Sequence, residues 1–302
     1  MERFSIHWTI DSNHSGMVLR DFLIREKQVS RSALTDIKFS GGALLVNNKA
    51  VTVREVLAEG DSVTVIFPAE SASGSMKAVE QGLSIIYEDE HILLLNKPPY
   101  LPTIPSRHSK TSLAQGVLYY YKTKKIDRTI HVVNRLDRDT SGIVLIAKHR
   151  YAHDLLARQQ KKQEINRLYR AVVHGYMNES TGRIDRPIGR KENSIIERCV
   201  REDGQRAATN YEVIKRAKDC SYLSLWLETG RTHQIRVHLS SIHHPLVGDD
   251  LYGGKMDKIK RQALHSYKIS FFHPFTGEKM TFKASFPEDM SNLIDKNFDS
   301  IE

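Results

Sequence analysis

Within residues 14–68, the spacing of apolar residues is typical of helices in the first half and of strands in the second. Apolar positions recur at helical spacing within SGMVLRDFLIREKQ, and RSALTDIKF predicts a second helix with Ser30 as its N-cap and Gly41 after its end. ALLVNNKAVTV predicts two strands joined by an Asn-Asn turn, and EGDSVTVIFP predicts a third strand after a Gly-Asp turn. We therefore expect a small unit of two helices followed by three strands.

The next stretch separates this unit from a larger region. Residues 69–82, AESASGSMKAVEQG, are small, polar and rich in helix and strand breakers, which is typical of a linker. Residues 83–288 then alternate between strand and helix patterns. We interpret residues 14–68, 69–82 and 83–288 as an N-terminal domain, a linker and a second domain.

Strands predominate in the predicted second domain. LSIIYEDEHILLLNKPP predicts a hairpin, KTSLAQGVLYYYKT a helix capped near Thr111 or Ser112, and YAHDLLARQQKKQ an amphipathic basic helix. Further strands are predicted in IVLIAK, RLYRAVVHG, ATNYEVIKRA, SYLSLWLETG, ALHSYKISFFHP and KMTFKASFP. Because many neighbouring strands are joined as hairpins, we expect an α+β fold with a mostly antiparallel, mixed sheet and flanking helices.

Charge adds a candidate ligand class to this picture. The 302-residue chain has a net charge of +9, which favours a polyanionic partner, with RNA or DNA ahead of acidic lipid. The excess is local, since residues 148–170 contain seven Lys or Arg against two acidic residues, a net of +5. Residues 1–75 have a net charge of −1. This distribution is typical of a phosphate-binding surface.

Other features exclude several classes of protein. There is no apolar run of membrane-spanning length and no signal-peptide pattern at the N-terminus, so we expect no membrane contact. Cys199 and Cys220 form no CxxC pair, which suits a reducing cytoplasm. Neither GxGxxG nor a Walker-type loop is present, so we expect no nucleotide cofactor.

The stretch NRLDRDTSGIVLIAK places Asp137 in a loop directly before an apolar strand. A carboxylate held rigidly at such a position can serve as a nucleophile or a base. Arg135 lies two residues earlier, and a nearby Arg favours the ionised carboxylate and orients it. A pair of exposed loop charges beside a simple Thr-Ser-Gly turn is the alternative interpretation.

A second stretch, TGRTHQIRVHL, predicts a helix with Thr232 as N-cap and Arg236 one turn in. Arg231 at its entrance and Arg236 could bind a phosphate or a carboxylate, although a solvated basic face is the alternative. In this helix Ile235 and Leu239 would share a face.

Two further residue types leave alternatives open. Tyr169 lies on a strand among arginines and could stack on a nucleobase, or could simply be a core residue. Four histidines at 233, 238, 243 and 244 lack the spacing of metal ligands on one helix face, so we expect capping and packing roles and no metal.

Taken together, these motifs resemble the RluA-type family of pseudouridine synthases. RLDRDTSG, RLYRAVVHG and TGRTHQIRVHL are similar to its aspartate, tyrosine and arginine signatures, and NKPPYLP, HPLVGDDLYG and LHSYKISFFHP follow the same order. The resemblance covers residues 83 to about 288. Two departures are Asn134, where the family usually has His, and Ser266, where Ala is usual. Residues 14–68 resemble the alpha-L RNA-binding domain of a ribosomal small-subunit protein.

The resemblance implies roles for individual residues. Asp137 matches the catalytic aspartate, Arg236 its ion-pair partner, and Tyr169 the tyrosine that stacks on the base and takes part in proton transfer. Arg135 matches an arginine that helps to hold the flipped nucleotide or to fill its place, and Ile235 matches an apolar residue that lines the uracil pocket. We place Arg231 with these substrate-binding residues. We expect backbone contacts from Arg31 and Lys38 in the N-terminal unit and from Arg158, Lys161 and Lys162 in the basic stretch.

The implied activity is isomerisation of specific uridines to pseudouridine in structured RNA. A stem-loop of ribosomal or transfer RNA is the expected partner, rather than DNA, and the protein is expected to be monomeric and cytoplasmic. Because the reaction has no redox step, no cofactor is required. The base must leave the stack, which costs a few kcal/mol and calls for aromatic and arginine contacts. Two alternatives are an RNA-binding protein without catalysis and a hydrolase using Asp137.

Overall fold

The computed structural model describes residues 3–298 apart from 71–75, 106–108, 110 and 127. Two main β-sheets, one of four strands and one of ten, account for most of the strands in these residues. None of the helices in the described ranges is long and apolar enough to cross a membrane.

The smaller sheet is N-terminal and antiparallel. Its strands are β1 (Ser5–Thr9), β2 (Ala43–Val46), β3 (Lys49–Ala50) and β4 (Ser62–Ile66), in the order β1-β4-β2-β3. The three strands after residue 40 match the predicted ones. Strand β1 was missed, and it begins nine residues before the predicted unit.

Two helices cover this sheet. Helix α1 (Leu19–Asp21) continues into a π-helical turn, Phe22–Glu26, and α2 spans Arg31–Phe39. The Ser30 hydroxyl accepts a hydrogen bond from the Ala33 N–H, which is the cap that the sequence predicted. Apolar faces of both helices pack on the sheet through Phe22, Leu34 and Ile37.

The larger sheet has the order β10-β13-β14-β9-β15-β8-β6-β5, and β16 and β7 pair with β15 and β8. The strands are β5 (Ile85–Glu88), β6 (Ile92–Lys97), β7 (His131–Val132), β8 (Ser141–Ala147), β9 (Asn166–His174), β10 (Thr181–Asp185), β13 (Ala208–Arg216), β14 (Cys220–Leu227), β15 (Leu264–Phe272) and β16 (Lys279–Lys283). A separate hairpin pairs β11 (Ile188–Arg190) with β12 (Arg198–Val200). Only β8 and β15 pair in parallel among these described strands, so the predicted mostly antiparallel, mixed sheet is confirmed.

Helices flank the larger sheet at α3 (Leu113–Thr123), α4 (Arg150–Lys161), α5 (Gln234–Ser241) and α6 (Glu288–Asn297). Successive side chains of a strand point to opposite faces, and strand β6 shows the result. Leu93 and Leu95 pack with α3 and α5 on one face, whereas Ile92 and Leu94 pack with α4 on the other. The central strands are therefore buried on both faces, which explains why they read as unbroken apolar runs.

Helix α4 also contacts the N-terminal unit. Tyr151 belongs to the apolar core under the small sheet, and its hydroxyl donates a hydrogen bond to the Lys27 carbonyl. Ser30 donates a hydrogen bond of 2.9 Å to Asp154, and Arg150 forms an ion pair with Asp36. The first turns of the basic helix are thus occupied by protein contacts.

The predicted linker falls partly outside the description, since residues 71–75 are not described. On either side of them, Glu70 accepts a 2.6 Å hydrogen bond from His131, and the Val79 N–H donates one to the Gln115 carbonyl. The division into two domains and a linker remains a prediction.

Candidate active site

A small recess adjoins a cleft of about 540 Å³ on the larger sheet. All six residues that the sequence assigned to catalysis or substrate binding line the recess: Asp137, Tyr169, Arg236, Arg135, Ile235 and Arg231. They come from the loop before β8, from strand β9, and from the first turn of α5 and the segment before it. The fold therefore brings three separate sequence motifs to one place.

The loop that carries Asp137 is anchored at its start by Asn134. The buried Asn134 side chain donates a 3.1 Å hydrogen bond to the Ile143 carbonyl and accepts one of 2.8 Å from the Leu145 N–H. The Thr103 hydroxyl bonds to both the N–H and the carbonyl of Leu136. Asn134, which departs from the family pattern, therefore has a structural task in holding the loop to β8.

Lys97 holds the middle of the same loop from below. Its ammonium group is fully buried and donates hydrogen bonds of 2.8 to 3.0 Å to the carbonyls of Pro98, Leu101 and Arg138. Burial lowers the Lys97 pKa to about 7, and three carbonyl acceptors match the three N–H donors of the protonated form.

Two neighbours on the segment before β15 hold the end of the loop. The Arg261 guanidinium donates to the Asp139 carbonyl at 3.0 Å while it forms a two-bond ion pair with Asp289. Gln262 donates to the Thr140 hydroxyl at 3.2 Å. The Asp137 backbone is thus fixed on both sides, which suits a group that must be placed with sub-ångström precision.

Asp137 is partly exposed, with 28% of its side chain accessible, and faces two basic side chains. Its Oδ2 lies 3.3 Å from Arg236 Nη1 and 3.8 Å from His233 Nε2. Burial lowers the pKa of His233, and the charge of Asp137 opposes this shift. The Arg236 guanidinium is the closer of the two basic groups to the Asp137 carboxylate and forms an ion pair with it.

The main partner of Arg236 is a residue that sequence reasoning missed. The guanidinium donates two hydrogen bonds, of 2.7 and 2.8 Å, to the carboxylate of Asp249, whose side chain is fully buried. Burial disfavours the charge on Arg236, but Asp249 outweighs this and raises the Arg236 pKa. Asp249 thus orients Arg236, and the longer contact to Asp137 uses the remaining Nη1.

The start of helix α5 differs from the prediction. The helix begins at Gln234, and its N-cap is His233 in the left-handed region, with φ 57°, rather than Thr232. The Gln234 side chain accepts hydrogen bonds from the Arg231 N–H and the Thr229 hydroxyl, which closes a turn ahead of the helix. This turn places His233 beside Asp137 instead of in the first helical turn.

Tyr169 is buried on β9 and pairs across the sheet with Leu225 of β14 and Ser266 of β15. Its hydroxyl makes no hydrogen bond to any described part of the protein. Because Tyr169 lines both the recess and the adjoining cleft, its hydroxyl is available to a ligand. Ile235 is buried in the recess wall, and Arg135 and Arg231 are exposed at its rim.

Gly142 permits the close approach of two strands beneath the site. It has φ +108° and lies opposite Ser266 in the parallel pairing of β8 with β15. A Cβ atom at this position would lie 2.3 Å from the Ser266 carbonyl oxygen and 2.6 Å from its nitrogen. Both obstacles are backbone atoms in the sheet, so neither can move without separating the strands.

We expect Gly142→Ala to lower the free energy of unfolding by at least about 3 kcal/mol, since strain and overlap act together. Urea denaturation measures this change. The matched control is Gly277→Ala, where φ is +72° but no atom lies within 4 Å of the added Cβ; strain alone should cost about 1–2 kcal/mol there. Equal losses for the two variants would contradict the steric argument.

The residues predicted to contact the RNA backbone lie outside the recess. Lys161 and Lys162 are exposed at the end of α4, and Arg158 is half-buried nearby. Gln160 of the same turn lines the cleft, so this part of the basic stretch borders it. Arg31 and Lys38 are exposed on α2 of the N-terminal unit and line neither the recess nor the cleft.

Part of the basic stretch is unavailable to a ligand. Lys148 is buried and bonded to Glu88 at 2.8 Å, and Arg150 is paired with Asp36. The guanidinium of Arg170 lies over the rings of Tyr222 and Tyr267. The net charge of residues 148–170 is therefore larger than the positive charge that they offer to a ligand.

The histidines near α5 have structural partners. His238 is buried between the Thr209 hydroxyl and the Arg186 carbonyl, and His244 contacts the His174 carbonyl. His233 is hydrogen-bonded to the Tyr252 hydroxyl at 2.8 Å. These contacts fit packing and capping roles.

Comparisons with known proteins point to one family. Residues 91–241 match the family model for RNA pseudouridylate synthase. The chain is 53% identical over 270 residues to the uncharacterized RNA pseudouridine synthase YjbO of Bacillus subtilis, covering 89% of this chain and 95% of that protein. It is 35% identical over 268 residues to ribosomal large subunit pseudouridine synthase D of Pseudomonas aeruginosa, covering 84% and 83%.

Solved structures show the same fold. Human RNA pseudouridylate synthase domain containing 1 superposes with a TM-score of 0.58 at 26% identity, over 69% of this chain and 87% of that one. The chain therefore belongs to the RNA pseudouridine synthase family, with a catalytic domain of the RluA type, and is an isomerase that acts on uridine in RNA.

Proposed function

We propose that this protein converts specific uridines of ribosomal RNA to pseudouridine, with Asp137 as its essential carboxylate and with the target base flipped into the recess. The observation that carries the proposal is the convergence of Asp137, Tyr169 and Arg236 in one recess. The relative named ribosomal large subunit pseudouridine synthase D favours ribosomal over transfer RNA as the substrate.

The residues of the recess can supply the groups that the reaction requires. The bond from the sugar to ring nitrogen 1 breaks, the uracil rotates, and ring carbon 5 joins the sugar. Carbon 5 loses a proton and nitrogen 1 gains one, so atoms and electrons balance without any co-reactant. Asp137 supplies the anionic group at the sugar or the ring, and Tyr169 stacks on the base and assists the proton transfer.

The basic residues around the site would hold the RNA. Arg135 and Arg231, which are exposed at the rim, would contact the flipped nucleotide, and Lys161 and Lys162, which follow the cleft-lining Gln160, would contact the RNA backbone. We further propose that the N-terminal unit binds RNA through the exposed side of α2, which carries Arg31 and Lys38. Phosphate contacts of this kind position the substrate without reading its sequence.

The proposal is tested with purified protein and unmodified ribosomal RNA transcripts. Carbodiimide adducts and primer extension locate pseudouridine, and mass spectrometry weighs the RNA. We expect new pseudouridine at discrete positions with no change in RNA mass. Release of uracil or cleavage of the RNA would instead identify a hydrolase, and binding without any modified uridine would identify an RNA-binding protein.

Tyr169→Phe separates stacking from proton transfer. Because the Tyr169 hydroxyl has no hydrogen-bond partner in the described protein, its removal should leave the melting temperature unchanged. We expect the rate at saturating RNA to fall by at least about 10²-fold, the typical contribution of a positioned proton donor or acceptor. Tyr211→Phe, another buried tyrosine of the same sheet, is the control and should remain active. An unchanged rate for Tyr169→Phe would show that the Tyr169 hydroxyl takes no part in proton transfer, so that only stacking on the base would remain as its role.

A further inference from the structure

His233 lies between the hydroxyl of Tyr252 and the carboxylate of Asp137. Its Nδ1 atom is 2.8 Å from the Tyr252 hydroxyl, and its Nε2 atom is 3.8 Å from Asp137 Oδ2. Only 12% of the side chain is exposed, and His233 lines the recess. Packing against Tyr252 accounts for one edge of the imidazole and leaves unexplained the edge that faces Asp137.

The backbone of His233 is held in a conformation that few side chains favour. It is left-handed, with φ 57° and ψ 19°, a region that Gly and Asn adopt with less strain than other residues. The Gln234 side chain fixes this turn, since it accepts from the Arg231 N–H and donates to the Ala208 carbonyl. Nothing in the turn itself requires an imidazole, and strain that is kept in this way is typical of a functional site.

The Tyr252 hydroxyl selects one tautomer of the His233 imidazole. Its oxygen accepts a 3.0 Å hydrogen bond from the Arg198 N–H, so its proton remains to be donated. Among the described residues, His233 Nδ1 is the acceptor within reach of that proton. Nδ1 therefore carries the lone pair and Nε2 carries the proton. The other edge agrees, because a lone pair on Nε2 would face the Asp137 carboxylate.

Two N–H groups thus face the same oxygen of Asp137. Arg236 Nη1 is 3.3 Å from Oδ2, and His233 Nε2 is 3.8 Å from it. The Arg236 guanidinium also lies over the Tyr252 ring, 4.9 Å from the ring centre, so Tyr252 supports both groups. Within the described ranges Asp137 Oδ1 makes no hydrogen bond, and it is the oxygen left for a substrate.

We propose that His233 is a positioning residue that donates its Nε2–H to Asp137 Oδ2 once a uridine fills the recess, and so turns Oδ1 toward the sugar or the ring. This inference rests on the proposed function. The 3.8 Å separation is longer than a hydrogen bond, and catalytic contacts often shorten when the substrate binds. Arg236 then supplies the charge that balances the carboxylate, and His233 fixes the direction in which it points.

His233→Asn tests this role with little change to the backbone, because Asn tolerates the left-handed region and lacks the Nε2–H group. The matched control is His243→Asn just after α5, where the exposed His243 is also left-handed, with φ 66°. Single-turnover rates at saturating RNA and RNA affinity by fluorescence anisotropy are measured for both. We expect His233→Asn to be roughly 10- to 100-fold slower with affinity within about twofold of wild type, since misplacing a reacting group by about 1 Å can cost about 10²-fold. His243→Asn should match wild type in both.

Imidazole rescue and the tautomer distinguish positioning from a purely structural role. His233→Gly keeps the left-handed turn and opens space beside Asp137, so imidazole added to the buffer should restore part of the lost rate. Asp137→Asn should not respond to imidazole. Nitrogen NMR of isotope-labelled histidine in the wild type, at about pH 8 where imidazole is neutral, should show His233 protonated on Nε2. Loss of that signal in His233→Asn assigns it.

Three results would overturn the proposal. They are a His233→Asn rate within about twofold of wild type, an Nδ1–H tautomer, and a rate loss in His233→Gly that imidazole does not reverse. Pseudouridine formation by the wild type in the same assays separates these results from a failure of the proposed function. An inactive wild type would overturn the proposed function and, with it, the role of His233 in that reaction.

Discussion

Replacing Asp137 by asparagine should abolish pseudouridine formation, with a loss on the order of 10⁴-fold or more. The substitution keeps the size of the side chain and removes only the anionic group. The loop is held by its backbone through Asn134, Lys97 and Arg261, and none of these contacts involves the Asp137 carboxylate. RNA affinity and melting temperature should therefore stay close to wild type.

Asp139→Asn is the matched control for this prediction. Asp139 lies in the same loop, but its carboxylate is paired with Arg138, and Arg261 contacts only its backbone carbonyl. Single-turnover assays on the same transcript compare the two variants, and Asp139→Asn should retain most of the wild-type rate. Normal turnover by Asp137→Asn would show that the Asp137 carboxylate is not catalytic.

Arg236→Ala should cost both stability and activity. The substitution leaves the Asp249 carboxylate fully buried without its two-bond partner. Breaking a buried ion pair from one side typically lowers the free energy of unfolding by about 3–5 kcal/mol. Activity should also be lost, because Asp137 loses the guanidinium at 3.3 Å. Urea denaturation and single-turnover assays measure the two effects.

A double-mutant cycle identifies the source of the instability. Arg236→Ala with Asp249→Ala removes both charges, so it should be more stable than Arg236→Ala alone. Arg183→Ala is the surface control, since its ion pairs are exposed, and it should change stability little. If Arg236→Ala unfolded at the wild-type urea concentration, the Asp249 pair would have no structural importance.

Elements with strong periodicity could be predicted from the sequence. The caps of α2 and α3 follow from local chemistry: Ser30 caps α2 as predicted, and Ser112, one of the two predicted candidates, caps α3. Strands β6, β8 and β9 were found because long apolar runs mark strands buried on both faces. Such signals lie within a few residues of one another, so they need no knowledge of the tertiary fold.

Short or edge elements could not be predicted in the same way. Apolar and polar residues alternate only weakly in strand β1, and its pairing partner, β4, lies more than 50 residues away in the sequence. Strands β11 and β12 are three residues each, too short to show a periodic pattern. Helix α6 was not predicted, and like β1 it depends on distant partners, since it packs on Val172 and Tyr222.

The residues of the site also fall into those that the sequence could identify and those that it could not. The structure brings Asp137, Tyr169 and Arg236, which the family motifs had singled out, to one recess, and their catalytic roles remain predictions. Asp249 and Lys97 were missed because their importance depends on burial and on contacts between distant segments. The pair Asp249-Asp250, in a stretch already matched to the family, was the one available signal. Charge counting likewise could not show that Lys148 and Arg150 are paired within the protein.

The most direct test of the central claim is pseudouridine mapping on total RNA from cells with and without this gene. Carbodiimide adducts read by primer extension reveal each modified uridine. We predict that discrete ribosomal RNA sites disappear in the deletion strain and return with the wild-type gene but not with Asp137→Asn. Restoration of those sites by Asp137→Asn would contradict the proposed role of Asp137, since modification would then not require the carboxylate that lines the recess.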